Sequence, residues 1–474
     1  MLASSFDSSD ISAPARQAAY AKLQRCIRRA VVALAILLVG CGSPQDRIQK
    51  ALNARTGRVP LPSGITEIHA ELKIPDGARD LEIAGGRGTI LRAANDFKGR
   101  AIFTCAHGEG IRFHDFTIDG NRAAFPQPIE MAPPENAFRL MYRNNGLWFD
   151  QTHSIRIADM KFEQVAGFAV LVSRSSDIRI ERVAVADSGS RDRNRRNNTT
   201  GGIVIEEASA NFAVRHCTFR NILGNALWTH SLYTSQRNRD GVLDDNEFDT
   251  IGRDAIQVGH ATRIEVARNH GQHIGYPVDA VDLEHQGTPV AIDTAGDVDR
   301  TSYAENRFEE IDGKCFDLDG FHDGEVRANS CVNRGRAEDY KFGHYGLVMN
   351  DSNPDMHSRN VAIVDNTFDG VKFGGIYVVG GPHRIERNRL LHLNLAHCND
   401  NPAIGCLYFK DQPDLLRSGI YLAAGVKKQD RTVNNVISGN EIEGYKIREH
   451  CIVAGPFASL AANTIAQNQC RDTP

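Results

Sequence analysis

Two acid-x-acid pairs stand on short alternating apolar stretches: Asp282 and Glu284 in AVDLEHQG, and Asp317 and Asp319 in KCFDLDG. Alternation sends the apolar residues to one face of a strand and the acids to the other. If the two stretches are neighbouring strands, same-slot carboxylates stand ~5 Å apart and diagonal ones ~7 Å. Carboxylates that close repel one another, so some are held protonated beside an ionised partner. Glycosidic-bond cleavage uses such a pair, at ~5–5.5 Å for retention and ~6.5–9.5 Å for inversion. The expected acid–base set is therefore Asp282, Asp317 and Asp319, assisted by Glu284 and His230. Stacked carboxylates also suit a hard cation, so Glu284 and Asp319 are the expected ligands if the site takes Ca²⁺. No other cofactor is expected.

The same alternation continues along the chain. Outward positions on successive strands read Trp148 and Asp150, Leu171 and Ser173, Val204 and Glu206, Trp228 and His230, and Gln257 and Gly259. Beyond the acids come Val348 and Asn350, Tyr377 and Val379, and Tyr421 and Ala423. Glu207, His260, His285 and Asp351 are next in line. This face is aromatic or aliphatic at its ends and acidic in the middle. Trp148, Trp228, Tyr377 and Tyr421 could stack on sugar rings. Glu206, His260, His285 and Asn350 complete the expected substrate-binding set. His322 and Asp323 lie one turn past Asp319, and the basic run RDRNRRNN (191–198) offers a site for an anionic sugar. Lys314, Arg253 or a residue of 191–196 would have to serve as base if the reaction were a β-elimination.

The elements that position these residues are repeats. An asparagine follows a short apolar strand at 246, 269, 306, 329, 366, 388, 440 and 463. The gaps are 23, 37, 23, 37, 22, 52 and 23, a period of 22–23 residues with insertions. Phe116, Met160, Arg182 and Cys217 are expected in the same slot upstream. Each unit reads as three strands of 3–5 residues, too short for helices. Stacked asparagines would hydrogen-bond along the coil and tolerate a left-handed turn. Insertions 190–200, 276–279, 335–344 and 395–418 precede the first strand of a unit, and 231–240, 286–298 and 351–358 follow one. Loops on both sides of one sheet make a groove.

This pattern resembles the right-handed parallel β-helix proteins of the pectate-lyase-like superfamily. The segment RIQKALNARTGRVPLPSG looks like their capping helix and entry, and FTIDGNR (116–122) is similar to a recurring phrase of theirs. The resemblance implies an all-β fold, a single-stranded coil of about 13 rungs. It implies a carbohydrate as partner and leaves the reaction open. A glycoside hydrolase is the first expectation. A Ca²⁺-assisted polysaccharide lyase or uronan epimerase, and a non-catalytic glycan-binding surface protein, are the alternatives. The Asn-x-Asp, Asp-Asp and Gly-His-Gly motifs of polygalacturonase-type hydrolases are not matched, so no role carries over from them.

Composition agrees. The 474 residues are 41% hydrophobic, 24% charged and 7% aromatic, with 42 glycines, which suits strands and turns rather than disorder. Net charge is −4, and −7 without residues 1–40, so no polycationic surface for nucleic acid is present. Arg25, Arg28 and Arg29 precede an apolar run, 30–39, too short to span a bilayer. The run ends Leu-Val-Gly-Cys, which looks like a bacterial lipobox with Cys41 as the lipidated residue. The expected organisation is a lipoprotein signal peptide over 1–40, an anchor linker and capping helix over 41–60, and the β-helix over 61–474. The expected location is the periplasmic or outer face of a bacterial membrane, the outer membrane by preference, as a monomer. Export permits disulfides. Cys398 with Cys406, and Cys451 with Cys470, are the expected pairs.

Overall fold

The computed structural model describes residues 42–474 except 134, 282–287, 353–355, 399, 401–405, 407–411 and 425–429. A helix, Pro44–Leu52, buries Ile48 and Leu52. Coiling then starts at Gly57–Pro60, earlier than expected, with Gly57 paired to Leu81. Every strand pairing in the two sheets is parallel, and each strand pairs with its counterpart one turn of the coil away. This is a parallel β-helix. Its third strands form one sheet of fourteen strands, from Gly64–Ile68 to Gln469–Thr473.

The first and second strands of each rung are joined into one sheet of 27 strands. Two strands cause the fusion because they run round the corner. Ile256–Ala267 has 12 residues and Val290–Asp299 has 10, against the 3–5 expected. The register slips between Gly259 and Ala261, so the bend is absorbed by a bulge. Residues 290–298 of the expected loop 286–298 are thus strand, and 286–287 lie outside the described residues. Inward residues fill the coil with aliphatic and aromatic side chains, such as Phe149, Val172, Ile205, Leu227, Val258, Ile292, Leu318 and Met349.

The asparagine column is present. The Nδ2 of Asn246 donates to Oδ1 of Asn269 at 3.0 Å, and the same bond runs from Asn269 to Asn306, Asn329, Asn366, Asn388 and Asn440 at 2.9–3.0 Å. Each Nδ2 also donates to a carbonyl one residue before the end of the second strand of the preceding rung, as Asn329 does to Tyr303 in Ser302–Ala304. Three points differ from expectation. The column ends on Asn468, not Asn463, and Asn463 belongs to another short column with Asn435. Upstream the slot is held by Val183 rather than Arg182, since Ala184 opens the third strand after it. The asparagines themselves are not left-handed. That conformation falls on the residue before each, with φ of 54° at Asp245, 52° at Arg268, 60° at Glu305 and 54° at Ala328.

The disulfides Cys398–Cys406 and Cys451–Cys470 form, and a third, Cys315–Cys331, ties a first strand to a third. No helix among the described residues is long and apolar enough to cross a membrane.

Candidate active site

Register fixes the outward row of the first strands. It runs Thr104, Trp148, Leu171, Val204, Trp228, Gln257, Asp293, Asp317, Val348, Tyr377 and Tyr421. The neighbour of Asp317 is therefore Asp293. Asp293 takes the slot expected of Asp282. Asp282, Glu284 and His285 lie outside the described residues, with Glu284 the expected Ca²⁺ ligand among them. Two rows over run Asp150, Ser173, Glu206 and His230, and further on Gly259 and Ala295, then Asp319 beside Asn350.

Both ends of this face are covered. The segment 129–142 packs Ala132, Phe138 and Tyr142 on Trp148, Leu171, Val204 and Trp228. Trp148 and Trp228 are buried, and their ring faces are occupied by Phe138 and by the Arg100 guanidinium rather than free for sugar. Glu206 is fully buried, and its carboxylate accepts the Phe138 and Arg139 N–H groups at 2.8 Å each. It fastens the cover and is not a groove residue. His230 stacks on Phe138 at 3.9 Å and stays half-buried at the edge of the cover. Glu206, Glu207 and His230 converge to metal-binding distance, but Glu207 already accepts from Leu232 N and Ser235 Oγ. The basic run 191–198 clamps the same cover: Arg193 pairs with Glu130, and Asn198 donates to Ile129 O. At the far end, Leu395, Ala396, Cys398 and Cys406 cover Val348 and Tyr377. Tyr421 is buried, its hydroxyl donating to Gln412, and stacks on Tyr377.

Between the covers lies the acid cluster. Asn225 Nδ2 donates to Gln257 Oε1 at 2.6 Å, and Gln257 Nε2 donates to Asp293 Oδ2 at 2.5 Å. Asp317 is ion-paired with Lys314 Nζ and accepts from Asn350 Nδ2 at 3.0 Å. Asp319 accepts from the Ser352 N–H at 2.8 Å and from the Ser352 hydroxyl. Asp254 lies buried two residues before the Gln257 strand position Ile256, and Lys314 two before Phe316.

The electrostatics divide the cluster. Burial, reinforced by the charges of Asp254 and Asp317, pushes Asp293 well above the usual carboxylate range. Burial lifts Asp254 to about 6 against the pull of Arg253, and burial also raises Asp319. Lys314 is opposed by burial, but Asp317 overrides it and holds the ammonium charged. The arrangement is an Asp293 biased toward its protonated form one rung, ~4.8 Å, from Asp317, which is paired with Lys314. Such a pair can give a proton to a leaving oxygen while stabilising positive charge on a sugar ring.

Flanking this, His322 bridges Asp297 (2.8 Å) and Asp323 (2.7 Å), and Arg359 pairs with Asp323. His260 is buried, stacks on Tyr233 at 4.9 Å, and is held below the usual imidazole range by burial. Sequence reasoning missed Asp293, Asp254 and Asn225, and it placed Gln257 on the outward face without a role. Asp254 and Lys314 share the parity of the inward Ile256 and Phe316, so strand alternation gave no signal for either at the site.

No family model and no curated protein matches the chain. Solved structures do. The pneumococcal surface adhesin PfbA of Streptococcus pneumoniae aligns at TM-score 0.54 and 14% identity, over 74% of this chain and 88% of that one. The pre-mature gene product 12 of bacteriophage phi29 aligns at 0.55 and 14%, over 89% of this chain and 55% of that one, so the chain spans about half of the phage protein. The catalytic unit of a GH87 α-1,3-glucanase from Streptomyces thermodiastaticus aligns at 0.49 and 12%, over 90% and 66%. At these identities the likeness to the first two speaks to the fold alone, and it agrees with the parallel β-helix seen in the register.

Proposed function

We propose that this chain is a carbohydrate-active enzyme, a glycoside hydrolase, with Asp293 as the general acid and Asp317 as the carboxylate that stabilises or attacks the anomeric centre. The observation that carries this reading is the split acid pair: a buried Asp293, pushed toward its protonated form, one rung from an Asp317 that is ion-paired with Lys314. Asp319 is the second carboxylate within reach. Gln257, Asn350 and Ser352 set the rotamers of the three acids. The reading differs from the sequence expectation in exchanging Asp282 for Asp293 and in giving no catalytic role to Glu284 or His230.

A β-elimination or epimerisation needs a base that can take a proton from carbon. Lys314 is held charged by Asp317, which argues against it in that role. A non-catalytic glycan binder would gain nothing from carboxylates kept apart in protonation. Incubation with neutral and uronic-acid polysaccharides, with and without chelator, tests the assignment. New reducing ends without ultraviolet absorbance support hydrolysis. Unsaturated, absorbing ends would replace it with a lyase, and chelator sensitivity would bring Ca²⁺ back.

We also propose that Cys41 is lipidated and that the β-helix is displayed from a bacterial membrane, by preference the outer one, as a monomer. Cys41→Ser should abolish acylation and release the protein from the membrane fraction. A wild-type chain without an acyl mass would end that proposal.

A further inference from the structure

Residues 138–142 form a strap across the first strands, and the row beneath it does not stop at the strap. Trp228 is followed by Gln257 and then by Asp293, two rung steps or ~10 Å away. Two positions further along the same strands, Glu206 stands beside His230. The strap therefore lies on the face that carries the acid pair, over the rungs just before it.

The Phe138 ring lies flat on His230, at 3.9 Å and 7° between planes, and crosses Trp228 at 4.8 Å and 62°. Beside the ring, the consecutive N–H groups of Phe138 and Arg139 donate to the two oxygens of Glu206 at 2.8 Å each. Glu206 is fully buried, and among the described residues these two groups are the hydrogen-bond donors to its carboxylate. When the strap lifts, the carboxylate loses both, so something else must then donate to it. His230 Nδ1 stands 3.6 Å from Glu206, too far for a hydrogen bond, and has no other hydrogen-bond partner among the described residues. The outer side of the strap turns Leu140 and Met141 to water, 65% and 45% exposed, so closure leaves apolar surface unburied. A flat apolar ring with two neighbouring donors at one edge is also the outline of a pyranose, with C–H groups on its face and adjacent hydroxyls at its rim.

We propose that the strap is an autoinhibitory stand-in for sugar: Trp228, His230 and Glu206 form a subsite for a neutral pyranose, the strap fills it in the closed state, and a glycan that reaches the acid pair displaces it. The inference rests on the glycosidase reading and adds a subsite and a gate to it. The sugar ring takes the place of the Phe138 ring, and two adjacent hydroxyls take the places of the two N–H groups on Glu206. A uronate would bring a further carboxylate against Glu206 and Glu207. Arg174, whose charge reaches both glutamates, is already paired with Asp150. Desolvating that extra carboxylate has no compensation here. Because the strap must leave first, the closed state weakens apparent glycan affinity by the fraction of molecules that are open.

The experiment uses Asp293→Asn as a slow-cleaving parent. The probes are neutral hexaoses of α- and β-linked glucose, mannose and N-acetylglucosamine, with hexagalacturonate as the charged control. Trypsin reaches the bond after Arg139 when the strap has lifted off Glu206, and the cut is read by mass. A neutral hexaose is expected to speed this cut about tenfold, and hexagalacturonate to leave it unchanged. Calorimetric titration reads affinity. Phe138→Ala empties the subsite and leaves its walls, so the hexaose that speeds the cut should bind about tenfold tighter. Glu206→Ala also frees the strap, but it removes the acceptor, so the same hexaose should bind about tenfold weaker. A cover that only packs predicts no such opposition. Tyr142→Phe keeps its ring and loses the hydroxyl that accepts from the Ala132 N–H and meets Thr199 Oγ1. This milder opening should tighten binding about threefold, and it serves if Phe138→Ala does not fold. The proposal is overturned if no neutral hexaose speeds the cut after Arg139, if hexagalacturonate speeds it as much, or if neither Phe138→Ala nor Tyr142→Phe tightens binding. The two readings fail separately. Cleavage surviving in Asp293→Asn while the strap responds to the hexaose removes the acid assignment and keeps the gate. Loss of cleavage in Asp293→Asn with a strap that no hexaose moves does the reverse.

Discussion

Two columns of polar side chains climb this β-helix at the same one-rung spacing, and they obey opposite rules. The asparagines from 246 to 468 repeat an amide that is both donor and acceptor, so each copy satisfies its neighbours. Asp293 and Asp317 repeat a carboxylate that, when ionised, only accepts. Repetition strengthens the first column and strains the second. The coil tolerates the strained column by giving each member a different partner: Gln257 for Asp293 and Lys314 for Asp317. An identical spacing therefore builds a scaffold where the group is self-complementary and a reactive site where it is not.

The largest effect should come from breaking the acid column. Asp293→Asn is expected to cut sugar release by roughly 10²–10⁴-fold, the usual share of a general acid. It should leave the melting temperature unchanged or raise it, because a protonated acid and an amide have similar shape and the repulsion is gone. Asp317→Asn should also cost activity, but it strands Lys314 in a buried place and should destabilise by about 3–5 kcal/mol. If both variants melt normally and cleave at wild-type rate, the site lies elsewhere on the molecule.

The amide column sharpens the contrast. Asn329 donates to Tyr303 O and to Asn366 Oδ1, and accepts from the backbone and side chain of Asn306. Asn329→Ala leaves several of these groups buried and unpaired, so the loss should be on the order of 1–3 kcal/mol. Activity per folded molecule should not change. Chemical denaturation together with a rate assay reads both quantities, and a stability change near zero would show that the column is ornamental.

Proton linkage separates the columns without a change of activity. Amides do not titrate, whereas Asp254 binds its proton more tightly in the fold, with its pKa at about 6 instead of 3.8. Its contribution to stability is present in full below about pH 4 and is lost as pH rises through 6. Asp293 acts in the same direction. Melting temperature should therefore fall between pH 4 and pH 7, and Asp254→Asn should flatten that slope. A wild-type profile that rises over this window would contradict the burial assigned to these acids.

How much of this could be read from the chain follows from the same contrast. The amide column was legible because one residue type recurs at one period. Its errors sit where a neighbour mimics the signal, as Asn463 does for Asn468. The acid column was legible in kind but shifted in register. AVDLEH and AIDTAG alternate equally well, and 37 residues separate Asn269 from Asn306, so either could be the first strand. Counting back decides it. Gln257 precedes Asn269 by 12 residues and Asp317 precedes Asn329 by 12. Asp293 precedes Asn306 by 13, whereas Asp282 precedes it by 24, too far for the rest of a rung. The buried state of Trp148, Trp228 and Glu206 was not legible, because no local pattern says that 129–142 folds back over strands that follow it in sequence.

The smallest expected effect concerns the upper end of the amide column, where the repeat stops at Cys217. This cysteine is buried in the slot itself, and its backbone N–H already donates to Asn246 Oδ1 at 3.0 Å. Its sulfur stands 3.8 Å from Ile180 O, the carbonyl that an asparagine here would bond, as Asn246 bonds Val214 O. Cys217→Asn would thus replace a weak thiol contact with an amide donor to Ile180 O and to Asn246 Oδ1. Its own oxygen would face the Val183 N–H, which now points at the sulfur. Each bond is worth about 1 kcal/mol net, and the slot already holds asparagine on the next rung, so stability should rise by about 1 kcal/mol. Denaturant midpoints of the wild type and the variant measure it. A loss of stability would mean that the cysteine rung is narrower than those below it, and that the column stops there because the coil has no room for another amide.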